Sequence, residues 1–207
     1  MRPKVLPNEL FLPGKRLYDI GCGALPYPGS VGVDIVPLPE VGIVADLNGR
    51  WPFDDGSVDG LIATHVLEHV DLLPVMEEAY RVLKPGGYFW IRVPHCSFRD
   101  FWRDPTHRRM FTVRTFDFWD AKRPSYVPDY GLQAKFHVVH RTLHWYGHLE
   151  AVKFRPAFAW FIEPCRRMID WLAGLNPRFC ERFWGGVVGG FAEAEFVLKK
   201  PDGQDVA

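Results

Sequence analysis

The stretch from Leu17 to Asp34 limits the fold more than any other part of the chain. An apolar run of Leu17, Tyr18 and Ile20 closes on Gly21-Cys22-Gly23, and a second, Val31 and Val33, closes on Asp34. Two short buried strands, each ending in a chemically distinctive residue, are expected. Glycine at a strand mouth lets a ligand approach the backbone, because no Cβ intervenes and positive φ costs little. A carboxylate at the end of the next strand can accept two hydrogen bonds from a ribose diol. The link between them, ALPYPGS, holds two prolines and supplies at most a turn of helix, where a parallel crossover usually takes about a dozen residues or more.

The spacing narrows the nucleotide. A dinucleotide fingerprint wants a third glycine where Pro26 stands, and an acid roughly 20 residues on. Here Asp34 follows Gly21 by 13 residues (34 minus 21), which disfavours NAD. Without a long helix N-terminus a pyrophosphate is poorly served. A ribose carrying a zwitterionic amino-acid tail suffers less, and S-adenosylmethionine (SAM) is such a ligand.

Five segments, Tyr18-Asp19-Ile20-Gly21-Cys22-Gly23, Val33-Asp34-Ile35, Ala45-Asp46-Leu47, His65-Val66-Leu67-Glu68-His69 and Arg81-Val82-Leu83-Lys84-Pro85-Gly86-Gly87, resemble the successive motifs of class I SAM-dependent methyltransferases of the type 11 family. The resemblance covers about residues 17 to 94 closely. It implies a doubly wound, mostly parallel seven-stranded α/β sheet, Rossmann-like, with SAM as cofactor. It places Asp19, Gly21 and Gly23 around the methionine part, Asp34 at the ribose, Asp46 and Leu47 at the adenine and His65 on the sulfonium side, with Cys22 and Ile35 also among the cofactor-binding residues.

The rest of the pattern agrees with an α/β domain. Strands are expected at 16–20, 31–35, 42–45, 58–64 and 88–93. A helix over 71–83 starts at an Asp71 cap and is stopped by Pro85-Gly86-Gly87. Residues 135–143 and 192–199 are expected to close the sheet as an antiparallel hairpin. Residues 1–16 are Pro-rich and expected to be irregular. One domain, 1–207, is expected, with a substrate-cap loop over 95–130 and a helical, aromatic-rich insertion over 151–188.

The stretch after Pro94 interleaves arginine with Phe and Trp. Arg99, Arg103, Arg108 and Arg109 offer forked donors for phosphate or carboxylate, so an anionic acceptor is expected. His95 and His107 are the candidate bases, since imidazole titrates near neutral pH. The segment DPTHRR-F-T-x-R-T-F also resembles one found in methyltransferases that accompany carbohydrate genes. His65 and His69 stand at i and i+4, but the pattern is not H-E-x-x-H and no third ligand is evident, so no metal is expected.

Formal charge is zero, 25 Lys and Arg against 25 Asp and Glu, and nothing global steers the chain to nucleic acid. The absence of an apolar leader or an 18-residue apolar run points to a cytoplasmic address, and four scattered cysteines suit reduced thiols. The expected activity is methyl transfer to O or N of a small-molecule or glycan acceptor by a monomer or homodimer. A SAM-binding, non-catalytic partner subunit is the alternative, and a nucleic-acid methyltransferase the third reading. The insertion over 151–175 suits a lid or packing element, or a peripheral membrane contact.

Overall fold

The computed structural model describes residues 6–145, 156–187 and 190–202. Its centre is a seven-stranded sheet in the order β3-β2-β1-β4-β5-β7-β6. The strands are β1 (Leu17–Ile20), β2 (Val31–Asp34), β3 (Val41–Val44), β4 (Val58–Thr64), β5 (Leu83–Pro94), β6 (His137–His144) and β7 (Glu193–Lys199). The first five run parallel, while β7 is antiparallel to both β5 and β6. The strand order reverses between β1 and β4, so the carboxyl ends of those strands and of β2 form the switch-point crevice in which α/β sheets bind ligands.

One face carries the main core. Helix α1 (Leu72–Val82) lays Leu72, Val75, Met76, Ala79 and Val82 against Leu61, Ala63, Phe89 and Ile91, all buried. Each large side chain buried in this way contributes about 1.5–3 kcal/mol. The same cluster extends through the cap as Phe111, Val113, Phe116, Trp119 and Phe136, and reaches Ile169 and Ala173 on α2 (Pro156–Leu175). A last helix, α3 (Pro177–Val187), follows directly.

The opposite face is thinner. No helix joins β1 to β2, β2 to β3 or β3 to β4, as the two prolines of the first link require. Leu6, just before the 3-10 turn Asn8–Phe11, and Leu10, within it, cover Leu17, Ile62, Trp90 and Val197 instead. Residues 6–16 are irregular, as expected, apart from that turn, and two of their leucines stand in for a helix layer.

Three further differences have local causes. The expected Pro85-Gly86-Gly87 helix stop is part of a strand: α1 ends at Val82, and Leu83 already pairs with Val58 across a bulge. Asp71 stands at the cap position but makes no side-chain cap bond; its own amide donates to Asn48 Oδ1 instead. The expected hairpin 135–143 and 192–199 forms as β6 and β7, shifted by one or two residues.

Candidate functional site

The carboxyl ends of β1 and β2 build one half of the site. Gly21 leaves β1 at φ +68°, and its missing Cβ is required because Val66 occupies that space. Gly23, at φ +55°, faces open space. Its amide donates to Asp34 Oδ2 at 2.8 Å, and the amide of Val36 donates to Oδ1 at 3.0 Å. Each carboxylate oxygen keeps a further acceptor position, so Asp34 is held flat with capacity for two hydroxyls. Ile35 beside it is exposed. Cys22 lies between the two glycines, its thiol pushed up by burial and by the Asp19 and Asp34 charges.

Asp19 is buried and carries the strongest request for a ligand. Oδ2 accepts the Tyr27 amide at 2.8 Å, while Oδ1 is buried without a partner. Burial, against the Tyr27 bond and with the neighbouring Asp34, raises its pKa to about 6. Asp46 is exposed, its Oδ1 taken by the Asn48 amide at 2.9 Å. Leu47 is buried, and its carbonyl accepts the Trp51 indole N–H.

These features fit SAM: an orphaned buried carboxylate oxygen for an ammonium group, a carboxylate with room for a ribose diol, an unfilled cradle at Gly23, and an exposed apolar side chain for a purine. Asp19 would hold the methionine end and Asp34 the ribose, with Ile35 and the Asp46-Leu47 turn toward the base.

The end of β4 builds the other half. His65 has φ +52°, the positive value of a non-glycine residue among the described residues, and such strain collects at functional sites. Its Nε2 meets Glu193 Oε1 at 2.9 Å and its Nδ1 lies 3.6 Å from Glu68 Oε1. Burial alone would push the imidazole down, but the bonds to Glu193 and Glu68 carry it up to about 9. His65 is therefore an imidazolium at neutral pH. Beyond it run Arg92, Glu195 and His144 in alternating sign, ending at Asp170 on α2.

The expected acceptor-side residues separate. His95 is 1 % exposed, with Nδ1 on Ser97 Oγ at 2.7 Å and Nε2 on Glu181 Oε1 at 2.8 Å, so both ring nitrogens are spent on holding α3 to the cap. His107 binds the Phe101 carbonyl through Nδ1 at 2.8 Å and presents Nε2 toward Glu68, 4.0 Å from Oε1. Arg103 is exposed, and Arg108 is exposed with Asp71 at 3.9 Å. The side chain of Arg99 lies outside the described residues. Arg109 lines a cleft of about 560 Å³, in the range of small-molecule sites, together with Arg114, Trp119, Tyr126 and Glu181. Its Nε is buried without a partner.

Sequence reasoning missed the cleft's Tyr126, Trp119 and Glu181, which come together only through folding of the cap. It also missed Glu193 and Glu195, whose i, i+2 spacing in AEAEF puts both on one face of β7.

The comparisons with known proteins agree with this fold. The family profile described as a methyltransferase domain, type 11, matches residues 32–91. An uncharacterized methyltransferase of Synechocystis sp. is 27 % identical, over 72 % of this chain and 80 % of its own. A SAM-dependent methyltransferase from Archaeoglobus fulgidus superposes with a TM-score of 0.54 at 19 % identity, covering 93 % of this chain and 89 % of that one. A Haemonchus contortus phosphoethanolamine N-methyltransferase, solved with phosphomonomethylethanolamine and S-adenosylhomocysteine, gives 0.55 at 16 % identity, over 91 % of this chain and 50 % of that one. Fold and crevice define a class I SAM-dependent methyltransferase. Within that class, the resemblance to the type 11 family rests on residues 32–91.

Proposed function

We propose that this enzyme methylates an oxygen or nitrogen of an anionic small-molecule or glycan acceptor seated in the cleft beside Arg109. The observation that carries the reading is the buried, unpartnered Nε of Arg109 in a cleft wall that also holds Arg114. A guanidinium donor hidden from water is costly to leave unpaired, and a phosphate or carboxylate oxygen matches its fork. Bound SAM supplies an electrophilic methyl on a sulfonium. The chain's own part is alignment and the exclusion of water, through Trp119, Tyr126 and Phe118 in the cleft lining. The Haemonchus relative, solved with a phosphorylated amine, supports the same acceptor chemistry.

The test is a turnover screen pairing phosphorylated or carboxylated acceptors with neutral analogues, on wild type and Arg109→Ala. Anionic compounds should lead by tenfold or more in kcat/KM, and the substitution should raise KM more than it lowers kcat. Neutral acceptors outcompeting anionic ones would sink the reading.

A second reading concerns location. Met168, Trp171, Leu172 and Leu175, at helical spacing on α2, and Phe179 and Phe183 on α3 are exposed, with Arg167 and Arg182 beside them. No described helix is long and apolar enough to cross a membrane. We propose that this face lies against an anionic lipid surface, the arrangement of an interfacial helix. Co-sedimentation with phosphatidylglycerol vesicles, lost in Trp171→Ala/Phe179→Ala, supports it; a dimer by light scattering that ignores vesicles overturns it.

A further inference from the structure

We infer that Glu68, His69 and His107 form a site for one divalent transition-metal ion at the rim of the acceptor cleft. Their ligand atoms lie within 4.8 Å of one another. Two imidazoles and a carboxylate on one side of an ion, with positions left open, is a donor set that suits manganese, iron, cobalt or zinc better than magnesium.

The surroundings have prepared each ligand. The Nδ1 of His107 is bound to the Phe101 carbonyl at 2.8 Å, which makes Nδ1 the protonated nitrogen and leaves the Nε2 lone pair free. Thr106 Oγ1 donates to Asp104 Oδ1 at 2.6 Å and meets His69 Nδ1 at 2.9 Å. The hydroxyl therefore accepts from His69 Nδ1–H, and the His69 Nε2 lone pair is free as well. Metal-binding histidines are characteristically held in this way, the second ring nitrogen donating to a carbonyl or a polar side chain. The two rings stand 4.8 Å apart, 63° from parallel.

Glu68 is the independent witness. It is 1 % exposed, yet Oε2 has no hydrogen-bond partner, and Oε1 has only His65 at 3.6 Å and His107 at 4.0 Å. The His65 imidazolium faces Oε1 alone; a buried carboxylate oxygen left bare, as Oε2 is, is costly, and a metal ion bound by this carboxylate would remove that cost. With bonds of about 2.0–2.2 Å the most widely separated ligand atoms need approach one another by about 1.5 Å. Asp104 Oδ2, 3.9 Å from His107 Nε2, is the other anionic group nearby.

Position gives the site a use, and this step rests on the reading of the cleft as the acceptor site. Leu72 and Arg109 line the cleft, three residues after His69 and two after His107. An acceptor hydroxyl taken up in an open position would be acidified by the metal and lose its proton to solvent. Its oxygen then forms the C–O bond as the methyl–sulfur bond breaks, the electron pair of that bond remaining on sulfur. The lone pair that His107 would have used as a base is spent on the metal.

The test titrates chelator-treated full-length protein with Co²⁺ and then Zn²⁺, following visible cobalt absorption and calorimetry, with SAM binding measured on the same samples. One equivalent of cobalt displaced by zinc is expected. Glu68→Gln and His107→Ala should weaken it at least a hundredfold with circular dichroism unchanged, and Thr106→Val by about 10–100-fold. Should Glu68→Gln fail to fold, the less buried His69→Ala gives the same reading. No saturable binding by wild type up to about 1 mM, or wild-type affinity in folded His107→Ala, overturns the site. SAM binding by the metal-free protein keeps that failure separate from any failure of the cofactor assignment.

Discussion

Arg141 Nη1 donates to Asp117 Oδ1 at 2.6 Å, and that carboxylate is 1 % exposed. Through it β6 is fastened to the 3-10 turn Thr115–Trp119 of the cap, with Arg178 of α3 reaching Oδ2 at 3.4 Å and Arg114 at 3.6 Å. Breaking a buried pair on one side strands the remaining charge. Asp117→Ala should cost about 3–5 kcal/mol in denaturant unfolding, with the Arg141→Ala/Asp117→Ala double variant losing less than the sum of its parts.

The two site glycines should respond differently to alanine. Both have positive φ, but only Gly21 has a side chain, that of Val66, where Cβ would go. Gly23→Ala should cost about 1–2 kcal/mol from backbone strain. Gly21→Ala should cost about 1–3 kcal/mol more from overpacking, part of it recovered in Gly21→Ala/Val66→Ala by thermal unfolding.

Asp19 makes SAM affinity pH-dependent. Its pKa of about 6 means that it binds a proton in the empty site below that value, and a cationic ligand must displace it. Affinity should fall about tenfold per pH unit below pH 6 and level off above it. Calorimetry should show the slope vanish in Asp19→Asn.

His144 should set an alkaline limit on stability. Burial pushes the imidazole down, but its contacts with Asp170 and Glu195 raise it from 6.5 to about 9, against Arg92. A folded-state pKa above the unfolded one stabilises fully below pH 6.5 and is lost as pH rises through 9. The loss, on the order of 2 kcal/mol, should be absent from His144→Gln in urea midpoints across pH 6–10.

Much of this was written locally. Strand ends marked by Gly21, Gly23 and Asp34 are legible because backbone freedom and a terminal carboxylate are properties of single positions, and α1 because its apolar spacing is periodic. The cap was legible only as a composition. Which arginines face a ligand depends on where Asp117 and Glu181 arrive from distant segments, and Arg114 proves to be partnered while Arg109 is not. His95 reads identically to His107 in the sequence; the difference is Glu181, 86 residues on. The metal-ligand trio is hidden for the same reason, since His107 joins Glu68 and His69 only when the cap folds back.

The thin half of the sheet has a consequence for motion. β2 and β3 carry no helix on the face that the N-terminal leucines cover elsewhere, and Val31, Ile35 and Val44 are 44 %, 61 % and 56 % exposed. Elements with little buried apolar contact open first, so amides of these strands should exchange with solvent well before those of β4 and β5. Asp34 sits on that loose edge, so docking of a ribose there would tie down the part of the protein most ready to come apart, and cofactor binding would register as slowed exchange far beyond the residues it touches.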